Sequence, residues 1–294
     1  MSKHVLILSR LFLACRGLIS IDISLLGQNY QDHVFFGITR AVALPTFSAA
    51  LNNPEINNAW RNAYNKDGSG PLGLPFGGLL AWERLPDPLR STQLSAASRH
   101  DFDEAHTPDW PELEYIPVSV SLGYNKNYTQ SDPLDGKNYA SLIIALNAPL
   151  SKGTISINSS HMSDPPVLDP GYLRHPGDRE MLIGGFKRSR QLWAGLSNLT
   201  VGEKKIPGPK VQSDEEILKY ITESLNPFAH SQASCKMGKR DDPMAVIDSQ
   251  ARVIGVDNLR VVDASSFPFL IAGHSMATIY ALAEKIADDI LHGR

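Results

Sequence analysis

Asn226-Pro-Phe-Ala-His230-Ser-Gln-Ala-Ser-Cys235-Lys-Met-Gly238, followed by Asn258-Leu-Arg-Val-Val-Asp263-Ala-Ser-Ser-Phe-Pro-Phe-Leu-Ile-Ala-Gly273-His274-Ser-Met-Ala-Thr278, is the stretch that decides how this chain is read. It holds two histidines, and the second runs straight into a helical pattern. Over residues 277–292, Ile279, Leu282, Ile286, Ile290 and Leu291 recur on one side, with Glu284, Lys285, Asp288 and Asp289 mostly elsewhere, which predicts an amphipathic helix with one buried face. Residues 251–256 and 259–263 predict short apolar strands around the turn Gly255-Val-Asp-Asn258. A neutral imidazole takes a proton from an alcohol near neutral pH. Two of them flanking one hydroxyl could deprotonate it and hold the alkoxide, whose α-hydrogen then leaves as hydride.

Working outward, Ser213-Asp-Glu-Glu216 supplies an N-cap serine and an acidic first turn for a helix ending near Leu225. The spacing of Met181, Ile183, Phe186 and Leu192 predicts a helix over 178–196. Residues 112–122, 140–148 and 153–157 read as strands, the last two joined by the turn Pro149-Leu-Ser-Lys-Gly153. Residues 79–85 also suit a strand. Residues 42–66 read as helical, with a second helix starting at Asn53-Pro54. The segment Asp101-Phe-Asp-Glu-Ala-His106 reads as short, acidic and solvated. Residues 26–33 read as a loop, and 3–9 and 19–23 as short strands.

Composition narrows the class. In 294 residues, 42% are hydrophobic and 20% charged, which suits an ordinary globular protein. A formal net charge of −3 gives no reason to expect nucleic acid or an anionic membrane as partner. No apolar run reaches the ~18 residues of a membrane span. Arg10 and Arg16 break the apolar N-terminus, which is read as a buried strand rather than a signal peptide. The 2 cysteines, Cys15 and Cys235, make no disulfide framework.

Several motifs compete with the histidines. Gly68-Ser-Gly-Pro-Leu-Gly73 matches Gly-x-Gly-x-x-Gly, but polar residues precede it and Pro75 follows, so a loop is expected rather than a dinucleotide turn. Cys235 is read as a buried thiol rather than a nucleophile. No short ligand spacing links His161, His230 and His274, so no metal site is expected. His33 reads as a loop residue holding a backbone contact.

The words His230-x-x-x-x-Cys-Lys-Met-Gly238, Asp242-Pro-Met-Ala-Val-Ile-Asp248, Ala251-Arg-Val-x-Gly-Val-x-Asn-Leu-Arg-Val-Val-Asp-Ala-Ser265, Gly273-His274 and Ala277-Thr-Ile-Tyr-Ala-Leu-Ala-Glu-Lys-Ile-Ala-Asp288 resemble the C-terminal portion of the glucose–methanol–choline (GMC) flavin oxidoreductases. Gly27-Gln-Asn-Tyr-Gln-Asp-His33, Gly68-Ser-Gly-Pro71, Pro149-Leu-Ser-Lys-Gly153 and Pro166-Val-Leu-Asp-Pro170 resemble further family segments, in family order. The style is closest to fungal aryl-alcohol-oxidase-like members. The resemblance implies FAD as cofactor, His230 as the base, and His274 as the residue that binds the alcohol oxygen. It places Asp263 and Ala264 along the flavin's ribityl and pyrophosphate, and Ser275, Met276, Ala277 and Thr278 at its pyrimidine side.

Family members run to roughly double this length, and their glycine-rich FAD-binding unit comes first. Ser2-Lys-His-Val-Leu-Ile-Leu-Ser9 resembles their second motif. The expected fold is therefore mixed α/β (α+β): an antiparallel-sheet substrate domain with helices on one face, plus the C-terminal part of an FAD-binding domain, with the N-terminal dinucleotide-binding unit missing. Expected boundaries are 1–33 for a remnant of the FAD-binding domain, 34–225 for the substrate domain and 226–294 for its C-terminal part. An apolar face over 251–263 is expected to be left exposed. The implied activity is oxidation of a small-molecule alcohol, in the setting of fungal secondary metabolism. The alternatives are an inactive truncated member and a non-redox lyase or cyclase. Phe76, Trp82 and Phe269 are candidate pocket residues.

Overall fold

The computed structural model describes residues 26–74, 77–124, 133–161 and 163–293. The strands expected over 3–9 and 19–23, the N-terminal apolar segment, Cys15 and Phe76 lie outside the described residues. The chain divides into two compact units, one of Met1–His33, Ser151–Arg174 and Ala229–Arg294, the other of Val34–Leu150 and His175–Phe228. Residues 151–174, read from sequence with the central domain, thus cluster with the flanking segments.

The second unit is built on one antiparallel sheet. Its strands are β1 (Val34–Val42), β2 (Ala81–Glu83), β3 (Leu113–Val118), β4 (Asn138–Leu146), β7 (Thr200–Ile206) and β8 (Asn226–Pro227), in the order β2-β3-β4-β1-β7 with β8 also on β1. β1 and β4 run in register from Val34 opposite Leu146 to Val42 opposite Asn138. Helix α5 (Pro176–Gly195) lies on one face of this sheet and buries Met181, Leu182, Phe186 and Trp193. Its approach is close: a Cβ on Gly185 would sit 2.9 Å from the Ile144 side chain. The Trp193 indole N–H donates to the Ile38 carbonyl at 3.3 Å. Helix α6 (Asp214–Ser224) starts on the expected capping box of Ser213 and Glu216. Its Tyr220 hydroxyl donates to the Gly37 carbonyl, and its ring meets Phe36 and Phe186.

The shorter helices are α1 (Phe47–Asn52), α2 (Pro54–Asp67), α3 (Leu89–Gln93) and α4 (Ala96–Ala105). Residues 42–46 are not helical, because β1 runs on to Val42. Asn53 caps α2, its side chain accepting from the Glu55 N–H. The acidic segment at 101–106 is the end of α4 and its C-cap His106, with Asp103, Glu104 and Ala105 exposed as expected. It buries Phe102. Gly68, with φ +74, ends α2, so the glycine-rich segment 68–73 is a helix stop with no strand before it.

The first unit pairs β5 (Thr154–Ser156) with β6 (Val167–Asp169) and ends in α7 (Met276–Leu291). Its core gathers Cys235, Val246, Ile247, Ala251, Val253, Val261 and Ile286. The expected strands at 251–256 and 259–263 reduce to single bridges, Ile247 with Val253 and Arg252 with Arg260. Left-handed backbone at Ala251 and Asn258 interrupts any longer ladder. The exposed apolar surface falls on α7 instead. That helix buries Ile286, but Ile290, Leu291, Met276 and Tyr280 are 51%, 82%, 71% and 67% exposed. Among the described residues no helix is long and apolar enough to cross a membrane.

Candidate active site

The segment read as a loop, 26–33, makes a turn over its first four residues and then passes between two neighbours in the first unit. Tyr30 exchanges backbone hydrogen bonds with Gly153 on one side, and Gln31 does so with Gln232 on the other. Gly27 makes this possible. Its φ is +83, and a Cβ there would lie 2.1 Å from the Ile155 carbonyl oxygen, which as backbone cannot give way. Two side chains from this pairing then grip the C-terminal stretch. Gln31 Oε1 accepts the Leu270 N–H at 3.3 Å, and Gln232 Oε1 accepts the Ile271 N–H at 3.2 Å. Both glutamines are buried. They fix the chain three residues before His274.

His230 is set between Ala229 and Ala233, both at positive φ, 62° and 64°. A left-handed alanine costs of order 1–3 kcal/mol, and such residues cluster where a site overrides local preference. Asp32 holds the turn. Its Oδ1 accepts the His230 backbone N–H at 2.8 Å, and its Oδ2 accepts from the hydroxyls of Tyr172 at 3.1 Å and Tyr30 at 3.3 Å. Tyr30 in turn shares a hydrogen bond with the Ser231 hydroxyl at 2.8 Å. Burial pushes the Asp32 carboxyl up, and these donors work against that push.

The rings of His230 and His274 meet edge to face, with centroids 5.2 Å apart. The structure therefore brings the two histidines together. It also adds a third. His33 is 2% exposed, and its Nδ1 lies 3.0 Å from Nδ1 of His230, with the rings near perpendicular. Beyond the backbone contact expected of it, made to the Asp32 carboxylate, His33 brings its side chain against His230. Burial first, and the neighbouring His274 second, push the His230 imidazolium down to about 4. His230 is thus neutral and able to accept a proton across the ordinary pH range.

The other expected cofactor residues fall into two groups. Ser275, Met276, Ala277 and Thr278 open α7, and the last three are exposed. Ser275 makes no side-chain cap, and the first turn carries no acidic residue. The start of this 16-residue helix thus has neither a side-chain cap nor an acidic residue, and a helix N-terminus favours negative charge. Asp263 and Ala264 instead form a short turn, Ala264–Ser266. There the Asp263 carboxylate accepts from the Ser265 N–H, and the Ala264 carbonyl accepts from the Ala233 N–H. Phe269 is 52% exposed in the first unit and Trp82 is 45% exposed on β2 of the second. Among the described residues no group of three or more His, Cys, Asp or Glu is placed to hold a metal ion.

Residues 149–283 match the pattern of the GMC oxidoreductases. The chain belongs to the GMC oxidoreductase family. It is 43% identical over 266 residues to patulin synthase of Aspergillus clavatus, covering 90% of this chain and 42% of that protein. It is also 43% identical to dehydrogenase pkfF of Emericella nidulans (91% of this chain, 43% of that one). Versicolorin B synthase of Aspergillus parasiticus is 40% identical (93% and 41%). The chain thus spans less than half the length of these curated GMC relatives. Among solved structures, a formate oxidase of Aspergillus oryzae matches with a TM-score of 0.82 at 22% identity, over 96% of this chain and 50% of its own. A fungal aryl-alcohol oxidase matches with a TM-score of 0.71 at 23% identity, over 94% and 49%. These two support the GMC fold.

Sequence reasoning gives no role to Asp32, Tyr30 or Tyr172, and it weighs His33 as a ligand or base but reads it as a loop residue. The signal lay in the GMC-like word Gly27-Gln-Asn-Tyr-Gln-Asp-His33, in which polar residues hide a buried extended segment. Cys235 behaves as a core residue: it is 3% exposed, and burial pushes its thiol up to about 11. Replacing Cys235 by Ser is expected to lower stability by about 1–3 kcal/mol, the cost of a hydroxyl in an apolar core. Turnover per folded molecule should stay near wild type. Thermal unfolding and steady-state rates check both halves, and lost activity in a folded variant would restore the thiol as a reacting group.

Proposed function

We propose that this GMC chain carries the proton-transfer and substrate-binding half of an FAD-dependent alcohol oxidoreductase. The observation that carries the reading is the convergence of a neutral, half-buried His230 with His274, two residues before the uncapped start of α7 at Met276. His230 takes the hydroxyl proton of a small-molecule alcohol, and His274 holds the alcohol oxygen by a hydrogen bond. When bound, FAD supplies the hydride acceptor. Ser275, Met276, Ala277 and Thr278 would hold the hydrogen-bond-accepting pyrimidine side of its ring by their N–H groups, and the turn at Asp263 and Ala264 would lie along its chain. The open helix start and the absence of a nearby carboxylate in that turn of helix fit an anionic group.

The test is optical. Purified protein supplied with FAD should retain a yellow chromophore, and anaerobic addition of a primary or secondary alcohol should bleach it. Protein that retains no FAD, or FAD that no alcohol in an aliphatic and aromatic series bleaches, would overturn the reading. A second reading follows from the names of the relatives, which include two synthases beside a dehydrogenase. The same histidine pair could move protons without net oxidation. Substrate conversion with the flavin still oxidised, in the absence of oxygen, would favour it.

A further inference from the structure

We propose that Arg40 and Arg190 form an anion site in the second unit, one that takes a phosphate group, free or carried on a small metabolite. It goes beyond the histidine site, which belongs to the first unit. The two guanidiniums reach one face of α5 from different elements. Successive side chains of a strand point to opposite faces, so Phe36, Ile38 and Arg40 of β1 share a side. Phe36 stacks there on Phe186 of α5, with ring centroids 6.2 Å apart. Arg40 follows it and lays its guanidinium 5.9 Å from the centre of the Trp193 ring. In α5 the spacing of four and three puts Phe186, Arg190 and Trp193 on one face. The Arg190 guanidinium lies 4.5 Å from the centre of the Phe186 ring. Stacking of this kind uses the flat faces of the guanidiniums and leaves their edge N–H groups for a ligand.

Two observations mark the pair as a site rather than as packing. The first is the missing counter-charge. Arg84, Arg90, Arg174 and Arg188 each meet a carboxylate, but among the described residues neither Arg40 nor Arg190 does. Both are half-buried, where a charge is costly without an opposite partner. Burial first, and the Arg190 charge second, bring the Arg40 guanidinium down to about 10, and burial lowers Arg190 as well. The second is the supply of unspent donors. Arg40 donates to the Thr39 carbonyl at 2.9 Å. Arg190 donates to the Gln212 Oε1 at 3.3 Å and the Val211 carbonyl at 2.6 Å. The other N–H groups of the two forks have no protein acceptor among the described residues. Lys205 stands opposite Arg40 in the β1–β7 register, so a third basic residue belongs to the same strand pair. Two forks of like charge match the several oxygens and double charge of a phosphate, which can accept from both at once.

The experiment is NMR of the arginine Nε–H groups in the full chain labelled with 15N-arginine. The two resonances are assigned by their loss in Arg40→Met and Arg190→Met. Inorganic phosphate is titrated in at pH 7, with ionic strength held constant by sodium chloride. Both resonances should move together and saturate. Each Met variant should weaken phosphate at least ~10-fold, the scale of a lost hydrogen bond to a charged group. Arg190→Lys keeps the charge but not the fork, and it should weaken phosphate by about 3-fold or more. Should a Met variant fail to fold, the native titration and Arg190→Lys still decide. A parallel titration with phenyl phosphate separates the sources: tighter binding of the ester assigns the site to a metabolite, and tighter binding of inorganic phosphate assigns it to the free ion. Shifts that never saturate, equal shifts with sodium chloride alone, or an affinity unchanged by the substitutions would overturn the proposal.

Discussion

Replacing His230 by Ala should reduce turnover of an alcohol by at least ~100-fold, the usual scale for a lost general base. The expectation comes from the ring's setting. His230 is held in place by the Asp32 carboxylate through its main chain, and its side chain lies between His33 and His274. Alanine keeps the main-chain bond and removes only the imidazole, so the variant should fold and bind substrate while losing the step that frees the hydroxyl proton. A 100-fold loss corresponds to about 2.7 kcal/mol of transition-state stabilisation. The pH profile gives a second view of the same group. The active form of a base is the unprotonated one, so kcat/KM should hold steady as pH falls below 6 and drop only as it passes through about 4, where burial has placed the His230 imidazolium. Steady-state kinetics on the two proteins from pH 4 to 8 measure both effects. A near-wild-type rate in His230→Ala refutes the assignment, and an acid limb near 6.5 points to a different, solvated base.

Asp32→Ala should destabilise the protein by about 3 kcal/mol or more. The carboxylate is buried and accepts from the His230 N–H, the Tyr172 hydroxyl and the Tyr30 hydroxyl. Alanine takes the acceptor from the His230 N–H and the Tyr172 hydroxyl, the Tyr30 hydroxyl keeping Ser231, and each buried orphan costs about 1–3 kcal/mol. Asp32→Asn should cost no more than about 1 kcal/mol. Burial already works against the charge of Asp32, so a neutral amide whose oxygen faces the His230 N–H loses little, and the two hydroxyls can turn to suit. Urea unfolding midpoints at constant slope separate the variants. Equal losses in both would show that the negative charge itself, rather than its acceptor geometry, holds the turn.

The capped helices were legible because their signals are local. Ser213 and Glu216 stand three apart, and Asn53-Pro54 announces a start in four residues. The expected antiparallel sheet with helices on one face is present, yet its central strand left no trace in the sequence pattern. β1 is buried on nearly every residue, Phe35 and Arg40 being the half-buried exceptions, so apolar and polar positions do not alternate. A strand covered on both faces has no period of two to detect. β4 and β5 were read as neighbours across the turn at 149–153, but they belong to different units, because contact partners far along the chain outrank the link between them. The histidine pair was legible by resemblance to a family. Its support was not, since Asp32, Tyr30 and Tyr172 acquire meaning only when a polar segment is threaded through a core.

The span of chain between His33 and His230, 197 residues, has a consequence for the order of assembly. All of the second unit lies between these points, ending at Phe228, so its sheet can close before His230 and His274 are synthesised. At about 5–20 residues per second, a ribosome needs on the order of 10–50 s after His33 emerges to deliver His274. Within that interval Tyr30 can pair with Gly153 and Asp32 with Tyr172, while Gln31 and Oδ1 of Asp32 still wait for the stretch from His230 onward. Closing so long a loop carries an entropic cost that grows only as its logarithm, so the delay is set by translation rather than by the search. The imidazole cluster is completed late, with α7 still to follow it along the chain, and a nascent chain has the sheet of its second unit well before its histidines meet.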